Sequence, residues 1–329
     1  AYIVSDPGVI TLIKEIIPEA ELHLSTQANM TNYVTAGFWH RQGVKRLVLA
    51  RELTLEEIKA IRANIPDELE IECFVHGSMC VSYSGRCLLS NHIIGRDANR
   101  GMCAQPCRWN YTIRNYEIEE EKRPDCKMPI EEINGETFIM ASRDTCTIEH
   151  IPELVACGIN SFKIEGRLKD RVYLRNIVSH YRRLLDREIA QRKGCQRASV
   201  GSSTIEFAPN PAKSFTRGGG IYLFDGKRSG VASFDTPKAL GERLGRVTKV
   251  ANDRFLIDSK CEIATGDGIC FISNGEAIGS SINKIDGAWI TPNSMEGIKV
   301  GVDIYRNFDR LFTSAVERSR IRRAVDATI

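Results

Sequence analysis

The chain has 329 residues, of which 42% are hydrophobic and 26% are charged, and its formal net charge is +3. This composition is that of an ordinary globular protein with room for two domains, and the weak positive charge does not by itself indicate a nucleic-acid ligand. No run of about 18 apolar residues occurs, so the sequence predicts no membrane-spanning helix.

Up to about residue 191, short apolar runs alternate with amphipathic segments. The runs predict six strands, at Tyr2–Ser5, Glu21–Ser25, Arg46–Ala50, Leu69–Val75, Thr137–Ala141 and Ser161–Ile164. The segments between and after them predict helices at Val9–Ile17, Met30–Gln42, Leu55–Ile65, Ile148–Ala156 and Asp170–Gln191. Such regular alternation is typical of parallel strands joined by crossover helices.

We therefore predict an α/β fold in which these residues form a (β/α) TIM-barrel-like domain. A closed barrel of this kind has eight strand–helix units. Since six are visible, the first two are expected to lie before Ala1. A doubly wound open sheet is the alternative.

The pattern changes after Gly194–Ser214, a segment rich in glycine, serine, proline and alanine. Short strand-like runs at Leu244–Ser259, Asp267–Ser273 and Ala288–Pro292 predict a small β-barrel. The tail, Tyr305–Ala324, contains six arginines and is predicted to be a helix. The predicted organisation is a catalytic domain at 1–193 with a cysteine-rich insertion at 77–135, a linker at 194–214, and a C-terminal β domain with a basic terminal helix at 215–329.

Four of the eleven cysteines fall between His76 and Trp109, with intervals of six, fifteen and three residues: Cys80, Cys87, Cys103 and Cys107. An odd number of cysteines favours free thiols in a reducing cytoplasm over a disulfide framework. Four thiolates select zinc or an iron–sulfur cluster. Structural zinc usually shows closely paired cysteines, whereas these longer gaps suit a bulkier cluster, although spacing leaves zinc and unliganded thiols open. Cys146 is the reserve ligand should Cys107 not bind.

Polar and charged residues follow the predicted strands. In a parallel α/β barrel the functional loops leave the carboxyl ends of the strands, so these side chains are expected to share one rim. The candidates for catalysis are His76, Arg51 and Glu165. The candidates for binding an anionic substrate, because they supply positive charge or hydrogen bonds, are Arg96, Asn99, Arg100, Arg143, Lys163 and Arg167.

The segment Gly95–Gly101 (GRDANRG) combines arginines with glycines that allow a ligand to approach the backbone. Alternatively, this segment is a loop that is fixed by ion pairs between its own arginines and its aspartate. The predicted helix Asp170–Gln191 carries arginines opposite its apolar face, which predicts either a track for phosphates or a solvated surface.

Several motifs resemble a known family. HGSMCVSYSGRCLLS, STQAN, LARE, GRDANRGMCAQPCRWNY and FKIEGR are similar to motifs of the collagenase-like peptidases of unknown catalytic type, with the tRNA wobble-uridine hydroxylation proteins as the most similar subgroup. The resemblance covers about Ala1–Leu185. In the second domain FDTPKALGERLGRV resembles the C-terminal β domain of some members more loosely, and MASRDTC departs from the NSKDLC of many members.

The resemblance implies a (β/α)-barrel domain with a [4Fe–4S] cluster on Cys80, Cys87, Cys103 and Cys107. It also implies oxygen-independent 5-hydroxylation of the wobble uridine of tRNA, with the dicarboxylate prephenate as the hydroxyl donor. Hydroxylation of a 23S rRNA cytidine is one alternative, and a binding module without catalysis is another. Proteolysis, which the family name states, is less favoured because neither GxSxG nor HExxH occurs in the sequence.

Overall fold

The computed structural model describes residues 1–109, 142–226, 240–259, 261–273 and 276–325, together with the backbone of four two-residue strands between 110 and 141. The described residues form two compact units. The first unit contains 1–109, 142–167 and 219–226, and the second contains 168–218 and the described residues from 240 to 325.

The helices are α1 (Pro7–Ile16), α2 (Tyr33–Arg41), α3 (Leu55–Ala63), α4 (Leu89–Ile94), α5 (Ile151–Ala156), α6 (Arg171–Gln191) and α7 (Arg310–Arg318). The strands up to 220 are β1 (Tyr2–Val4), β2 (Leu22–Leu24), β3 (Val44–Val48), β4 (Glu70–Ser78), β5 (Tyr111–Thr112), β6 (Ile118–Glu119), β7 (Lys127–Met128), β8 (Glu136–Thr137), β9 (Asp144–Cys146), β10 (Ser161–Ile164), β11 (Ser202–Thr204) and β12 (Gly219–Gly220). The later strands are β13 (Glu242–Val250), β14 (Phe255–Ile257), β15 (Gly268–Ser273), β16 (Glu276–Asp286), β17 (Trp289–Pro292), β18 (Asp303–Phe308) and β19 (Arg322–Ala324).

The first unit is built on a sheet in which β1, β2, β3, β4 and β10 are parallel neighbours in that order. The strands are parallel because helices α1, α2 and α3 carry the chain back between them. Each of these helices begins at a side-chain cap: Asp6, Asn32 and Thr54 accept hydrogen bonds from backbone N–H groups of the first turn. The parallel-strand prediction is confirmed, and the order does not close into a ring among the described residues.

Strand β4 extends beyond its parallel neighbours. Its last residues, His76 to Ser78, pair with β9 in the antiparallel direction, and β12 adds to the other side of β9. Residues 142–144 were expected at the carboxyl end of a parallel strand; in the structure Asp144 begins β9, which pairs in the antiparallel direction with the end of β4. The predicted strand Thr137–Ala141 lies outside the described residues except for Thr137, whose backbone pairs with Tyr111.

The second unit contains a closed barrel of six antiparallel strands in the order β13–β14–β17–β16–β15–β18. Its core consists of apolar side chains, among them Phe255, Phe271, Ile282 and Ile304. The predicted small β-barrel is therefore confirmed. Sequence periodicity missed β16, because the middle of this strand carries small and polar residues instead of the large apolar ones that mark a strand.

The predicted tail helix is wrong over most of its length. Tyr305 to Phe308 complete β18, and the helix is restricted to α7 because Asp309 caps it by accepting a hydrogen bond of 2.8 Å from the N–H of Phe312. Arg306, counted from the sequence as part of a basic surface, is buried against the carboxylates of Glu242, Asp267 and Asp309.

Arginines of α6 also bind within the second unit. Arg175 donates to the carbonyls of Val316 and Glu317, and Arg183 donates to those of Ile205 and Phe207. These two side chains stabilise the unit instead of forming a track for phosphates. Helix α6 and residues 194–218 group with the second unit and 219–226 with the first, while the predicted domain limits stay a prediction. None of the described helices has the length and apolar character needed to cross a membrane.

Candidate functional site

The four cysteines of the predicted ligand set line one cavity in the first unit. Cys80, Cys87, Cys103 and Cys107 surround a space of about 150 Å³ that opens beyond the carboxyl end of β4. They come from different turns of the chain between 80 and 107, so the backbone wraps around the space. Cys146, the reserve ligand, is not among the lining residues; it lies in β9 as the register partner of His76.

Short-range hydrogen bonds hold the cysteine segment in shape. The side-chain amide of Asn99 accepts from the N–H of Cys87 at 3.1 Å and donates to the carbonyl of Cys87 at 2.8 Å. The N–H of Gln105 donates to the sulfur of Cys103 at 3.3 Å. Asn99, predicted to bind substrate, lines the cavity and at the same time fixes the backbone of a cysteine.

Gly85 lets the segment pack closely against the loop after β2. Its φ is +71°, and a Cβ at this position would lie 1.9 Å from the carbonyl oxygen of Gln27. No other residue type fits this approach without moving the backbone. Thr26 and Gln27 also line the cavity, so the close approach forms part of its wall.

Arg108 is a site residue that sequence reasoning missed. Its side chain is buried and donates to the carbonyls of Met79 at 2.6 Å and Ser142 at 3.1 Å, with Asp144 4.0 Å away. It lines the cavity and connects the end of β4 with the start of β9. Its position next to Cys107 in the sequence could have indicated a role at the site, but nothing in the sequence identifies its hydrogen-bond partners.

Burial favours the protonated form of two cavity thiols, Cys80 and Cys107. The pKa of Cys107 is raised to about 11, mainly by burial; the charge of Arg108 opposes this shift, and the nearby thiols of Cys80, Cys103 and Cys87 add to it. Burial also raises the pKa of Cys80, although an N–H from Ser82 and the charge of Arg51 act in the opposite direction. A metal or cluster that binds here must therefore displace protons.

The thiols do not meet at one point. Among the described residues, no group of three or more His, Cys, Asp or Glu side chains could hold a single metal ion. A tetrahedral zinc would need four sulfurs about 2.3 Å from the same centre. The four thiols are instead spread around the wall of the cavity.

Arg51 lies in the cavity wall with its guanidinium carbon 4.3 Å from the ring centre of Phe74. Its buried Nε has no hydrogen-bond partner among the residues that the structure describes. Lys163 lies 5.3 Å from the same ring but forms an ion pair of 3.1 Å with Glu72 and does not line the cavity.

Glu165 and Arg167 follow β10 and both line the cavity. Glu165 accepts a hydrogen bond of 2.8 Å from the N–H of Arg167. The Arg167 guanidinium donates to the carbonyls of Cys103 at 2.9 Å and Gly101 at 3.0 Å. Arg167, predicted to bind substrate, therefore joins the end of β10 to the cysteine segment.

The remaining predicted residues do not line the cavity. His76 is buried in β4 and does not line it. Arg96, Arg100 and Arg143 are exposed and are not lining residues, and the Nε of Arg96 donates to the carbonyl of Met102 at 3.1 Å.

Tyr222 is a second residue that the sequence did not indicate. The segment 219–226 lies far along the chain, yet Gly219 and Gly220 pair with β9 and the N–H of Leu55 donates to the carbonyl of Phe224. This places the Tyr222 hydroxyl 3.5 Å from the carbonyl oxygen of Cys80, to which it donates.

Residues 1–228 match the family model described as Peptidase family U32. The chain belongs to this family. It is 34% identical over 338 aligned positions, covering 100% of this chain and 49% of the relative, to the 23S rRNA 5-hydroxycytidine C2501 synthase of Escherichia coli strain K12.

Two further relatives are named tRNA hydroxylation proteins. Protein P of E. coli K12 is 41% identical over 220 residues, covering 56% of this chain and 48% of the relative. Protein P1 of Bacillus subtilis strain 168 is 41% identical over 193 residues, covering 56% of this chain and 42% of the relative. The chain spans about half the length of the curated relatives it matches, and no solved structure matches it.

Proposed function

We propose that this chain is the catalytic part of an RNA-modifying enzyme that hydroxylates carbon 5 of a pyrimidine base without molecular oxygen. The observation that carries the proposal is the cavity lined by four cysteines beside a free arginine donor. The relatives' names, which concern hydroxylation of tRNA and rRNA, support the reaction class. Such an enzyme belongs where RNA and reduced thiols coexist, so a cytoplasmic location is part of the proposal.

The cofactor in this proposal is a [4Fe–4S] cluster bound by Cys80, Cys87, Cys103 and Cys107. The donor set fits, because four sulfurs line one cavity, and in a cluster each thiolate binds a different iron, so the sulfurs need not converge on one centre. Such a cluster supplies one-electron redox chemistry when bound. The N–H of Gln105, which donates to the Cys103 sulfur, would stabilise its thiolate form.

The hydroxyl donor is proposed to be an anionic small molecule, with prephenate as the specific candidate. Arg51 supports this assignment because its buried Nε has no partner in the described part of the chain, and a guanidinium binds a carboxylate in a planar, bidentate manner. Glu165 lines the same cavity and is assigned the role of proton acceptor. Arg167 and Asn99 position the cysteine segment.

The parallel sheet is proposed to be part of a (β/α) barrel. Support comes from the five parallel strands and from the position of Gln27, Arg51, Ser78 and Glu165, each of which follows or ends a strand at its carboxyl end and lines the cavity. Barrel enzymes place their sites at this face.

Two RNAs are candidate substrates. The match to the 23S rRNA enzyme covers 100% of the chain, including the β-barrel unit, whereas each tRNA-related match covers 56%. This coverage favours a 23S rRNA cytidine. The wobble uridine of tRNA is the second candidate, because the tRNA hydroxylation proteins are 41% identical over the part that they share with this chain.

Proteolysis is the alternative that the family name suggests. Among the described residues, Cys146 is the one cysteine that lies opposite a histidine, His76, in the strand register. Burial raises the pKa of Cys146 and Glu149 raises it further, against an N–H from Ile148, so this thiol is a poor nucleophile at neutral pH. Peptide hydrolysis that is lost in Cys146→Ser but kept in Cys80→Ser would favour the peptidase.

The proposed function is tested by mass spectrometry of nucleosides from a strain that lacks the gene. Purified 23S rRNA and purified tRNA are digested separately, and the strain is complemented with the wild-type gene or with Cys103→Ser. We expect 5-hydroxycytidine to disappear from rRNA, or 5-hydroxyuridine derivatives from tRNA, and to return only with the wild-type gene. Unchanged levels in both RNAs would overturn the proposal.

A further inference from the structure

The mouth of the cysteine cavity carries a tyrosine that is unusually exposed. Tyr83 lines the cavity although 69% of its surface is accessible to solvent. A large aromatic side chain gains free energy by leaving water, so one that stays exposed beside a site often contacts a ligand there. The next residue, Ser84, is 1% exposed, and the change from buried to exposed therefore occurs within one peptide unit.

The backbone that presents Tyr83 is firmly held. The Ser84 N–H donates to Glu52 Oε1 at 2.6 Å, and the Ser84 hydroxyl donates to Glu52 Oε2 at 3.2 Å. The N–H of Arg86 closes a turn on the carbonyl of Tyr83 at 3.0 Å. Since Gly85 also packs against Gln27, the ring projects from an anchored loop.

We propose that Tyr83 is the stacking platform for the target pyrimidine of an unpaired RNA segment. This inference rests on the proposed function. A base that reacts inside a cavity must leave its neighbours in the RNA, and enzymes and RNA-binding modules compensate for the lost stacking with aromatic side chains. Arg86 is exposed in the same turn and is placed to bind a phosphate next to the stacked base.

The same segment offers a matched control. Leu88 is 75% exposed, more than Tyr83, but it does not line the cavity and has no aromatic face. If the surface bound its ligand through apolar contact alone, substitution of Leu88 or of Tyr83 would weaken binding to a similar extent. If the surface stacks a base, only substitution of Tyr83 weakens binding.

The test measures binding of short ribose-phosphate strands to the full-length protein at fixed low salt. One strand carries a single central cytidine and is otherwise abasic, a second carries uridine there, and a third is abasic throughout. Tyr83→Ala is expected to weaken binding of a base-carrying strand by about tenfold, since stacking on an aromatic side chain is worth about 1–3 kcal/mol per base. Tyr83→Phe and Leu88→Ala are expected to bind within about twofold of wild type, because neither loses the aromatic face.

Two internal comparisons separate stacking from a general defect. The abasic strand should bind wild type and Tyr83→Ala equally, and Arg86→Ala should reduce the salt dependence of binding while Tyr83→Ala leaves it unchanged. Iron content and the thermal midpoint of Tyr83→Ala should equal those of wild type.

The inference is overturned if Tyr83→Ala binds the base-carrying strands as tightly as wild type, if Tyr83→Phe is as weak as Tyr83→Ala, or if wild type binds no base-carrying strand better than the abasic one. Equal losses in Leu88→Ala would show that binding of the strand does not depend on the aromatic face, and would overturn it too. Any of these results can occur while the nucleoside profile still shows hydroxylation, so the inference and the proposed function fail separately.

Discussion

The side-chain amide of Asn99 pairs with both backbone groups of Cys87, accepting from its N–H at 3.1 Å and donating to its carbonyl at 2.8 Å. This is the geometry of a short piece of sheet, supplied by one side chain across a gap of twelve residues. It fixes the position of one thiol relative to the segment that carries Cys103.

Replacing Asn99 should loosen the ligand set without unfolding the protein. Asn99→Ala removes two hydrogen bonds that are worth about 1–3 kcal/mol together, so the cluster should leave faster when a chelator is added. Asn99→Asp keeps an acceptor for the Cys87 N–H but loses the donor, and its rate should lie between those of wild type and Asn99→Ala. The decay of the absorbance near 400 nm measures this, and identical rates in all three proteins would contradict the assigned role.

Gly85 and Gly95 form a matched pair for testing the cavity wall. Both have a left-handed φ, +71° and +69°, but a Cβ on Gly85 would meet the Gln27 carbonyl at 1.9 Å whereas nothing lies within 4 Å of one on Gly95. Gly95→Ala should cost about 1 kcal/mol of stability and keep the cluster. Gly85→Ala should displace the segment and reduce iron content by more than half; equal iron content in the two variants would argue against the close approach.

Arg108 should be among the most sensitive positions in the first unit. Arg108→Met removes the donor to two buried carbonyls and a buried positive charge near Asp144. We expect a loss of about 3 kcal/mol or more in the free energy of unfolding, measured by urea denaturation. Arg100→Met, at an exposed arginine of the same segment, should change it by about 0.5 kcal/mol or less; a similar loss in both would refute the assignment.

The second unit should lose stability in acid through Asp309. Burial alone raises the pKa of this carboxyl, but hydrogen bonds from Lys213 and the Phe312 N–H and the charge of Arg306 hold it below its ordinary value. A lowered folded pKa adds stability above the unfolded pKa, about 3.9, and that stability is lost as the pH falls through the folded pKa.

Asp309→Asn isolates this contribution, because asparagine still caps a helix but cannot ionise. Wild type should be the more stable protein at pH 7, and the difference should shrink steadily as the pH falls below about 4. Urea denaturation across this range provides the measurement. A difference that stays constant down to about pH 2 would show that Asp309 does not titrate in this way.

The parts of the fold that sequence predicts are those fixed by local pattern. The apolar runs of β1 to β4 and β10 lie within a few residues of the strands that they specify. The tail was predicted wrongly because local pattern alone was used: its many arginines resemble a basic helix. The burial of Arg306 instead depends on Glu242, which lies 64 residues away in the sequence.

In the candidate site, residue chemistry indicated the four thiols but not what holds them. Asn99 and Arg167 have the hydrogen-bonding groups of substrate ligands, and only the structure shows that they bind the backbone of the cysteine segment. Tyr222 lies 142 residues from Cys80, and Arg108 reaches carbonyls 29 and 34 residues away. Contacts over such distances leave no periodic signal in the sequence.

The central claim, that Cys80, Cys87, Cys103 and Cys107 together hold one iron–sulfur cluster, is tested most directly by iron and sulfide analysis of protein purified without oxygen. Wild type should contain about four irons and four sulfides per chain. Each of the four Cys→Ser variants should lose most of this content, whereas Cys146→Ser, outside the cavity lining, should keep it. A wild-type protein with one zinc and no sulfide, or loss of the cluster in Cys146→Ser but not in Cys107→Ser, would contradict the account.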